Sequence, residues 1–311
     1  MCGCSTRAGG DSTGSCDAGS GGSQDMAKYV FLLIVFLLAQ PVAAQEIAWD
    51  RVMGASPGKL TSAQKTRATE ALRSIHNYYG CSRTVADCLK TDPKCETARR
   101  LAGFIVRLAA FDRSVTEIKA AVLERSRSVH PLKTHRIATK NDHCIGDPAV
   151  AKVAVVVFGD VLCPFCAQII PMLHRLVKAR GSSLSLCFKH FPTTVHEQLG
   201  VQASEAMVAA ALQGKGWEFL LAAYPRRREM SEKKLVELAR DLRLDLVRFE
   251  KDRSSRAVRR LVAGDKREGL ALGIAGTPQV YVNGKEWLGR KDEVEFADRL
   301  DEELMLKNGG N

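Results

Sequence analysis

The sequence predicts an α/β domain preceded by a small all-α module, and three observations carry this. Val153 to Phe158 is an unbroken run of β-branched and aromatic residues, the pattern of a strand buried on both faces. Gln279 to Val282, then Asn283-Gly284, then Lys285 to Trp287 read as a hairpin with a two-residue turn. Between and before them lie long stretches with apolar residues at helical spacing.

The chain begins with a segment that can bury no core. Residues 1–25 are Gly/Ser-rich, carry Cys2, Cys4 and Cys16, and are expected to be a disordered leader. Met26-Ala27-Lys28, the apolar run Tyr29 to Ala39, and Ala43-Ala44 before Gln45 read as a secretory signal over residues 26–44. The run is shorter than the roughly 20 residues of a comfortable span. Met26 is therefore the expected start, with residues 1–25 not translated. An uncleaved membrane anchor with a short cytoplasmic tail is the alternative. Either way, the chain beyond residue 44 is expected to be periplasmic or otherwise exported.

After a linker over 45–59, residues 60–130 read as the helical module. Thr61 can cap a helix running to Tyr79, with Gly80 as its stop. A short helix is expected over about Thr84 to Lys90. Asp92-Pro93 is expected to start the next, with Leu101, Phe104, Ile105, Leu108 and Phe111 on one face. Ser114 and Glu117 form a capping box for a last helix containing Ile118, Ala121, Val122 and Leu123. Residues 131–147 are polar and read as a second linker. The second domain is expected over 148–306, with a tail at 307–311.

At the entrance to that domain, Cys163-Pro164-Phe165-Cys166 sits where the Val153–Phe158 strand hands over to a helix. Ile169, Ile170, Leu173, Leu176 and Val177 mark that helix. The first helical turn has unpartnered N–H groups and the positive end of the macrodipole. A thiolate at Cys163 is stabilised there, its pKa lowered into the range of roughly 3.5–7.5. Pro164 sacrifices no needed donor in the first turn. Cys166, one turn on, can close a disulfide and release a mixed-disulfide partner. Half of a zinc site is the competing reading, but it needs two more ligands nearby. No second CxxC and no paired His follows. No metal is expected, and no nucleotide, haem or flavin motif calls for a cofactor.

Export lets disulfides persist. Beyond residue 44, and apart from Cys163 and Cys166, the cysteines are Cys81, Cys88, Cys95, Cys144 and Cys187. All five are candidates for structural disulfides. Their number is odd, so at least one is unpaired or bonded to another chain. Cys81–Cys95 is the expected local staple of the helical module. Cys144 either pairs with Cys187 or stays free.

The rest of the second domain is one more strand and a run of helices. Ser183 to Phe188 alternates as a strand, closed by Lys189-His190-Phe191-Pro192. Helices are expected over about Glu197–Gln213, Trp217–Ala223, Glu232–Leu242, Leu246–Asp252 and Ser255–Leu272, with Ser231 and Asp245 as caps. A final helix over about Asp292–Met305 closes the sheet.

Taken together, FGDVLCPFC, the helix proline Pro171, FKHFP at Phe188 to Pro192, QGKGWEF at Gln213 to Phe219, and GTPQVYVNG resemble the DsbA-like oxidoreductases of the thioredoxin superfamily. The resemblance covers roughly Pro148 to Leu304. It implies a thioredoxin-like fold with an inserted helical subdomain at about 195–254, and protein thiol–disulfide oxidoreductase activity. It also implies a cis Thr277–Pro278 bond lying against the dithiol of Cys163 and Cys166. The implied partners are unfolded or partly folded secreted proteins, and a membrane or periplasmic partner that recycles the dithiol. A disulfide isomerase or reductase of the DsbC/DsbG kind is the first alternative. A non-catalytic holdase or metal-binding module is the second.

Two departures bear on mechanism. In thioredoxin and DsbA a buried acid stands six residues before the first cysteine, and here that place is Val157. Asp160, three residues before Cys163, has counterparts in DsbC-like and many DsbA-like sequences. It serves as a local base or as a cap for the turn. Phe165 offers neither charge nor donor where CPHC has histidine, which predicts a milder oxidant than DsbA. Lys189 and His190 follow a neighbouring strand and are expected to be structural or surface residues.

Lys plus Arg number 46 against 35 Asp plus Glu, a net +11, while aromatics are only 6%. No aromatic–basic interleaving is present, so a nucleic-acid partner is not expected. The plain reading of the charge is a solvated basic surface. The sharper one is attraction to an anionic membrane face or to acidic substrates.

Overall fold

A computed structural model describes residues 46–79, 82–140 and 142–308. The leader and signal assigned to residues 1–44, the Gly80 helix stop and Cys81 lie outside the described residues.

The N-terminal module is four helices, α1 (Ser62–Ser74), α2 (Val85–Thr91), α3 (Glu96–Ala110) and α4 (Val115–Val129). Its core is built from Leu72, Leu89, Leu101, Phe104, Ile105 and Ile118, all buried. Thr61 and Ser114 each close a capping box with the residue three positions on. Two boundaries differ from the sequence expectation. α1 ends at Ser74 rather than Tyr79, because the chain leaves the helix to form a bridge between His76 and Thr84. That bridge adds the bonds Asn77 N–Arg83 O and Val85 N–Ile75 O. α3 starts at Glu96, not at Asp92-Pro93. Asp92 N still closes α2 on Cys88 O, and Cys95 N returns to Asp92 O, so these residues are spent on a turn.

The second unit has a five-stranded mixed sheet in the order β1-β3-β2-β4-β5. It contains β1 (His143–Ile145), β2 (Val153–Gly159), α5 (Pro164–Lys178) and β3 (Leu184–His190). Five helices follow before the sheet resumes: α6 (Glu197–Ala211), α7 (Gly216–Arg226), α8 (Glu232–Asp241), α9 (Leu246–Arg253) and α10 (Arg256–Ala271). The sheet is completed by β4 (Gln279–Val282) and β5 (Lys285–Glu286), and α11 (Glu293–Asn308) ends the unit. β2 and β3 are parallel, joined by the α5 crossover, and the outer pairs are antiparallel. β3 is buried along its whole length, as expected for a central strand covered on both faces. The stretch 131–147 is more than a connector, since His143–Ile145 pairs with β3. The alternation there is too short to stand out in sequence. A disulfide joins Cys144 to Cys187 at their register pair, tying this edge strand down.

The hairpin turn has Asn283 at φ 52° and Gly284 at φ 73°, the left-handed pair that a type I′ turn requires. Gly284 also meets the connector. His135 N donates to Gly284 O at 2.8 Å, and a Cβ at Gly284 would sit 2.2 Å from His135 O.

The module and the sheet unit meet through buried charge. Arg125 of α4, 2% exposed, reaches Glu295 at 2.6 Å, Asp298 at 3.0 Å and Glu302 at 3.1 Å, all on α11. Arg107 pairs with Glu295 and Asp298, and Arg100 with Asp298. Tyr78 accepts from Arg125 Nε at 2.9 Å, and Tyr79 donates to Glu302. Arg299, also buried, pairs within α11 with Glu302 and Glu303. So the basic excess is only partly a solvated surface. Sequence could not show this, because the carboxylates arrive from nearly two hundred positions away.

Candidate active site

β2 ends at Gly159, the chain turns through Asp160 to Leu162, and α5 begins at Pro164 with Cys163 as its N-cap residue. Extended backbone at Cys163 (φ −69°, ψ 126°) places its sulfur at the open helix end. Pro171 lies inside α5. The strand β4 runs antiparallel to β2, pairing Val157 with Val280, so the segment before β4 arrives beside the CPFC turn. That segment contains the Thr277–Pro278 bond, which is cis. The Cys163 thiol donates to Thr277 O at 3.4 Å.

The two sulfurs differ. Cys163 is 6% exposed and Cys166 is fully buried. Cys163 titrates far below an ordinary thiol, at about 5. The Cys166 thiol is the largest cause, donating to the Cys163 sulfur, and partial burial opposes it. The Thr277 hydroxyl, otherwise unpartnered, and the N–H groups of Cys166 and Phe165 add to the lowering. Cys166 is pushed well above an ordinary thiol, chiefly by burial and then by the negative charge on Cys163. Tyr224 stands behind them, buried with its hydroxyl unpartnered. Its pKa is well raised by burial and then by the charges of Cys166, Cys163 and Asp160.

Asp160 is fully buried but saturated. Its Oδ1 accepts from Leu162 N at 2.9 Å, which braces the turn before Cys163. Its Oδ2 accepts from Thr193 N at 2.8 Å, Thr193 Oγ1 at 2.9 Å and His196 Nδ1 at 2.7 Å. Its backbone N–H lies 3.5 Å from Cys166 Sγ. Sequence reasoning missed Thr193 and His196. Their only signal was position just after FKHFP, and spacing alone could not bring them to Asp160.

Phe165 is 63% exposed and walls a groove of about 640 Å³ with Ile169, Ile274, Thr277, Pro278 and Tyr281. The structure thus brings together Cys163, Pro164, Phe165, Cys166, Asp160, Thr277 and Pro278. Lys189 and His190 lie elsewhere. Lys189 is buried among Asp142, Asp265 and Glu268 at 2.8–3.1 Å. Burial pushes His190 down to about 3 and Asp142 up to about 6. Val157, six residues before Cys163, is core.

The remaining cysteines are distributed as follows. Cys144 and Cys187 form the edge disulfide. Cys95 is disulfide-bonded, while the expected Cys81–Cys95 pairing involves a residue outside the described ones. Cys88 is buried beside Asn77, whose Nδ2 lies 3.9 Å from its sulfur. Among the described residues no group of three or more His, Cys, Asp or Glu is placed to hold a metal ion, and no helix is long and apolar enough to cross a membrane.

Comparison with known proteins bears on this geometry. The family model of the DSBA-like thioredoxin domain matches residues 154–301. Among solved structures, the chain is similar to a thioredoxin-like oxidoreductase from Silicibacter pomeroyi, at 26% identity and TM-score 0.46 over 52% of this chain and 92% of that one. It is similar to BdbD from Bacillus subtilis at 20% identity and TM-score 0.49, over 55% and 97%. Among curated proteins, it is 32% identical over 151 residues to the Na(+)/H(+) antiporter NhaA of Herminiimonas arsenicoxydans. It is 28% identical over 168 residues to the Na(+)/H(+) antiporter NhaA 1 of Mycolicibacterium gilvum. Those alignments take in 49% and 53% of this chain but 24% and 27% of the relatives. The chain therefore spans about a quarter of the length of the curated relatives it matches.

Proposed function

We propose that this protein, a thiol–disulfide oxidoreductase with a DsbA-like thioredoxin domain, is exported and exchanges disulfides with secreted polypeptides through Cys163 and Cys166. The observation that carries this is the split between the two sulfurs, one held near 5 and the other far above a normal thiol. At neutral pH the pair is one thiolate and one thiol, the state that exchange needs.

In the oxidising direction a client thiolate attacks Sγ of Cys163. The Cys163–Cys166 bond breaks, a client–Cys163 disulfide forms, and the Cys166 sulfur leaves and takes up a proton. A second client thiol then loses its proton and attacks the client sulfur of that mixed disulfide. Cys163 leaves as the stabilised thiolate, and two electrons have passed from client to protein. A membrane or periplasmic partner would return the pair to the disulfide. Thr277 and Pro278 would hold the client chain alongside in strand-like contact, with Phe165 as the groove wall. Pro164 opens the helix and Asp160 fixes the turn, so we assign both to support.

The proposed division of labour places the chemistry in residues 148–306, with an inserted helical subdomain at about 195–254. Residues 60–130 form the accessory module. Residues 26–44 would direct export to the periplasm. Mass spectrometry of the non-reduced exported protein is expected to find a mature N-terminus at Gln45. For the chemistry, Cys163→Ser is expected to abolish catalysed oxidation of a reduced, unfolded client. Unchanged turnover in that variant would sink the proposal.

A further inference from the structure

A second groove, of about 500 Å³, borders the CPFC turn and shares no lining residue with the one beside Pro278. Its floor is apolar: Leu162, Pro164, Leu199, Met230 and Val195, the last 83% exposed. Its polar lining is His196, Arg227 and Arg228, and no carboxylate lines it.

Those three groups are available to a ligand. In the run Arg226-Arg227-Arg228, Arg226 is paired with Asp241 at 2.7 Å. Among the described residues Arg227 donates only to a carbonyl, Tyr224 O, at 3.0 Å. Among the described residues Arg228 makes no ion pair, and it is exposed. Glu229 follows in sequence but does not line the groove. His196 is held from behind, its Nδ1 2.7 Å from the buried Asp160 carboxylate. A carboxylate only accepts, so Nδ1 carries the hydrogen and Nε2 is the atom left for the groove. By contrast, the groove beside Pro278 is lined by both Lys291 and Glu286.

Leu162 and Pro164 flank Cys163 directly, so a chain lying in this groove passes within a residue or two of the reacting sulfur. We propose that the groove binds an acidic residue of the client polypeptide, beside the cysteine undergoing exchange, with an apolar neighbour on its floor. The occupant is a polypeptide segment because five apolar side chains form that floor. It is acidic because Arg227 and Arg228 line it and no carboxylate does. This deepens the proposed function and rests on Cys163 being the exchanging sulfur.

The test uses the oxidised full chain and three single-cysteine peptides. The peptides are identical, with a leucine beside the cysteine, except for one nearby position that is Glu, Gln or Lys. Each exchange rate is normalised to the same peptide's rate with a small neutral disulfide, which removes differences in thiol reactivity. At low ionic strength the Glu peptide is expected to react about fivefold faster than the Lys peptide, the scale of two exposed charge contacts. Salt is expected to compress that ratio. Arg228→Glu leaves one positive and one negative side chain in the groove, and should bring the Glu and Lys peptides to within about twofold of each other. Equal rates for the Glu and Lys peptides, with the Gln peptide reacting normally, overturn the groove assignment and leave the exchange reading intact. A preference that survives Arg228→Glu unchanged also overturns it. No reaction with any peptide overturns both.

Discussion

At the CPFC turn, one ionised sulfur is stabilised by a neighbouring thiol and by main-chain N–H groups at a helix entrance. At the seam between the helical module and α11, Arg125 is stabilised by three carboxylates on long side chains. Both regions keep charge out of water, but by different means. Backbone donors are present whenever α5 forms, so the sulfur site depends on few side chains beyond its own cysteines. The seam depends on every partner, because each side chain removed leaves a buried charge exposed to a low dielectric. The contrast predicts that damage to one region stays there.

The strongest way to probe this is at the sulfurs. Cys166→Ala is expected to stop turnover and to accumulate mixed disulfides on Cys163, visible by non-reducing electrophoresis. Wild-type turnover without such adducts would show that Cys166 does not resolve them. Next in size, Arg125→Ala should destabilise the protein by about 3 kcal/mol, since it takes the shared guanidinium from the buried Glu295, Asp298 and Glu302 and leaves them to fewer partners. Urea unfolding measures that loss. Alkylation of Cys163 in the same variant should keep its midpoint near 5. A moved midpoint would break the independence of the two regions.

A third expectation concerns pH. The folded pKa of Cys163 lies below its unfolded value of about 8.5. A depressed pKa adds stability that is fully present above the unfolded value and is lost as pH falls through about 5. The stability difference between reduced wild type and Cys163→Ser should therefore grow from pH 5 to about pH 8.5. A flat difference over that window would remove the thiolate from the account. Equilibration with glutathione sharpens the same point. With Phe165 in place of a charged or donor residue, the potential is expected between those of thioredoxin and DsbA, roughly −270 to −120 mV. A value as low as thioredoxin's would contradict the expectation drawn from Phe165. Smallest of all, Ser114→Ala should cost about 1 kcal/mol through its helix cap and leave exchange rates untouched.

Much of the site was legible because its chemistry is local. Cys163 to Cys166 after a Val-rich run specifies a thiol pair at a strand–helix junction wherever the rest of the chain goes. The Asn283-Gly284 turn and the caps at Thr61, Ser114, Ser231 and Asp245 are also written within a few residues. The helix ends that differ from expectation, at Ser74 and Glu96, were decided by non-local pairing, such as His76 with Thr84. Asp160 stood out in the sequence, but its partners Thr193 and His196 come from beyond β3.

The sequence by itself therefore determined the α/β class, the dithiol and the helix that activates it, because propensity, periodicity and capping act over a few residues. Only the tertiary structure decided which charges are buried together, since Arg125 meets Glu295, Asp298 and Glu302 through folding rather than spacing. It also decided which histidine stands by the site and that Cys144 bonds Cys187. Burial and pairing are properties of neighbours in space, and a linear pattern cannot record neighbours that the fold brings from far along the chain.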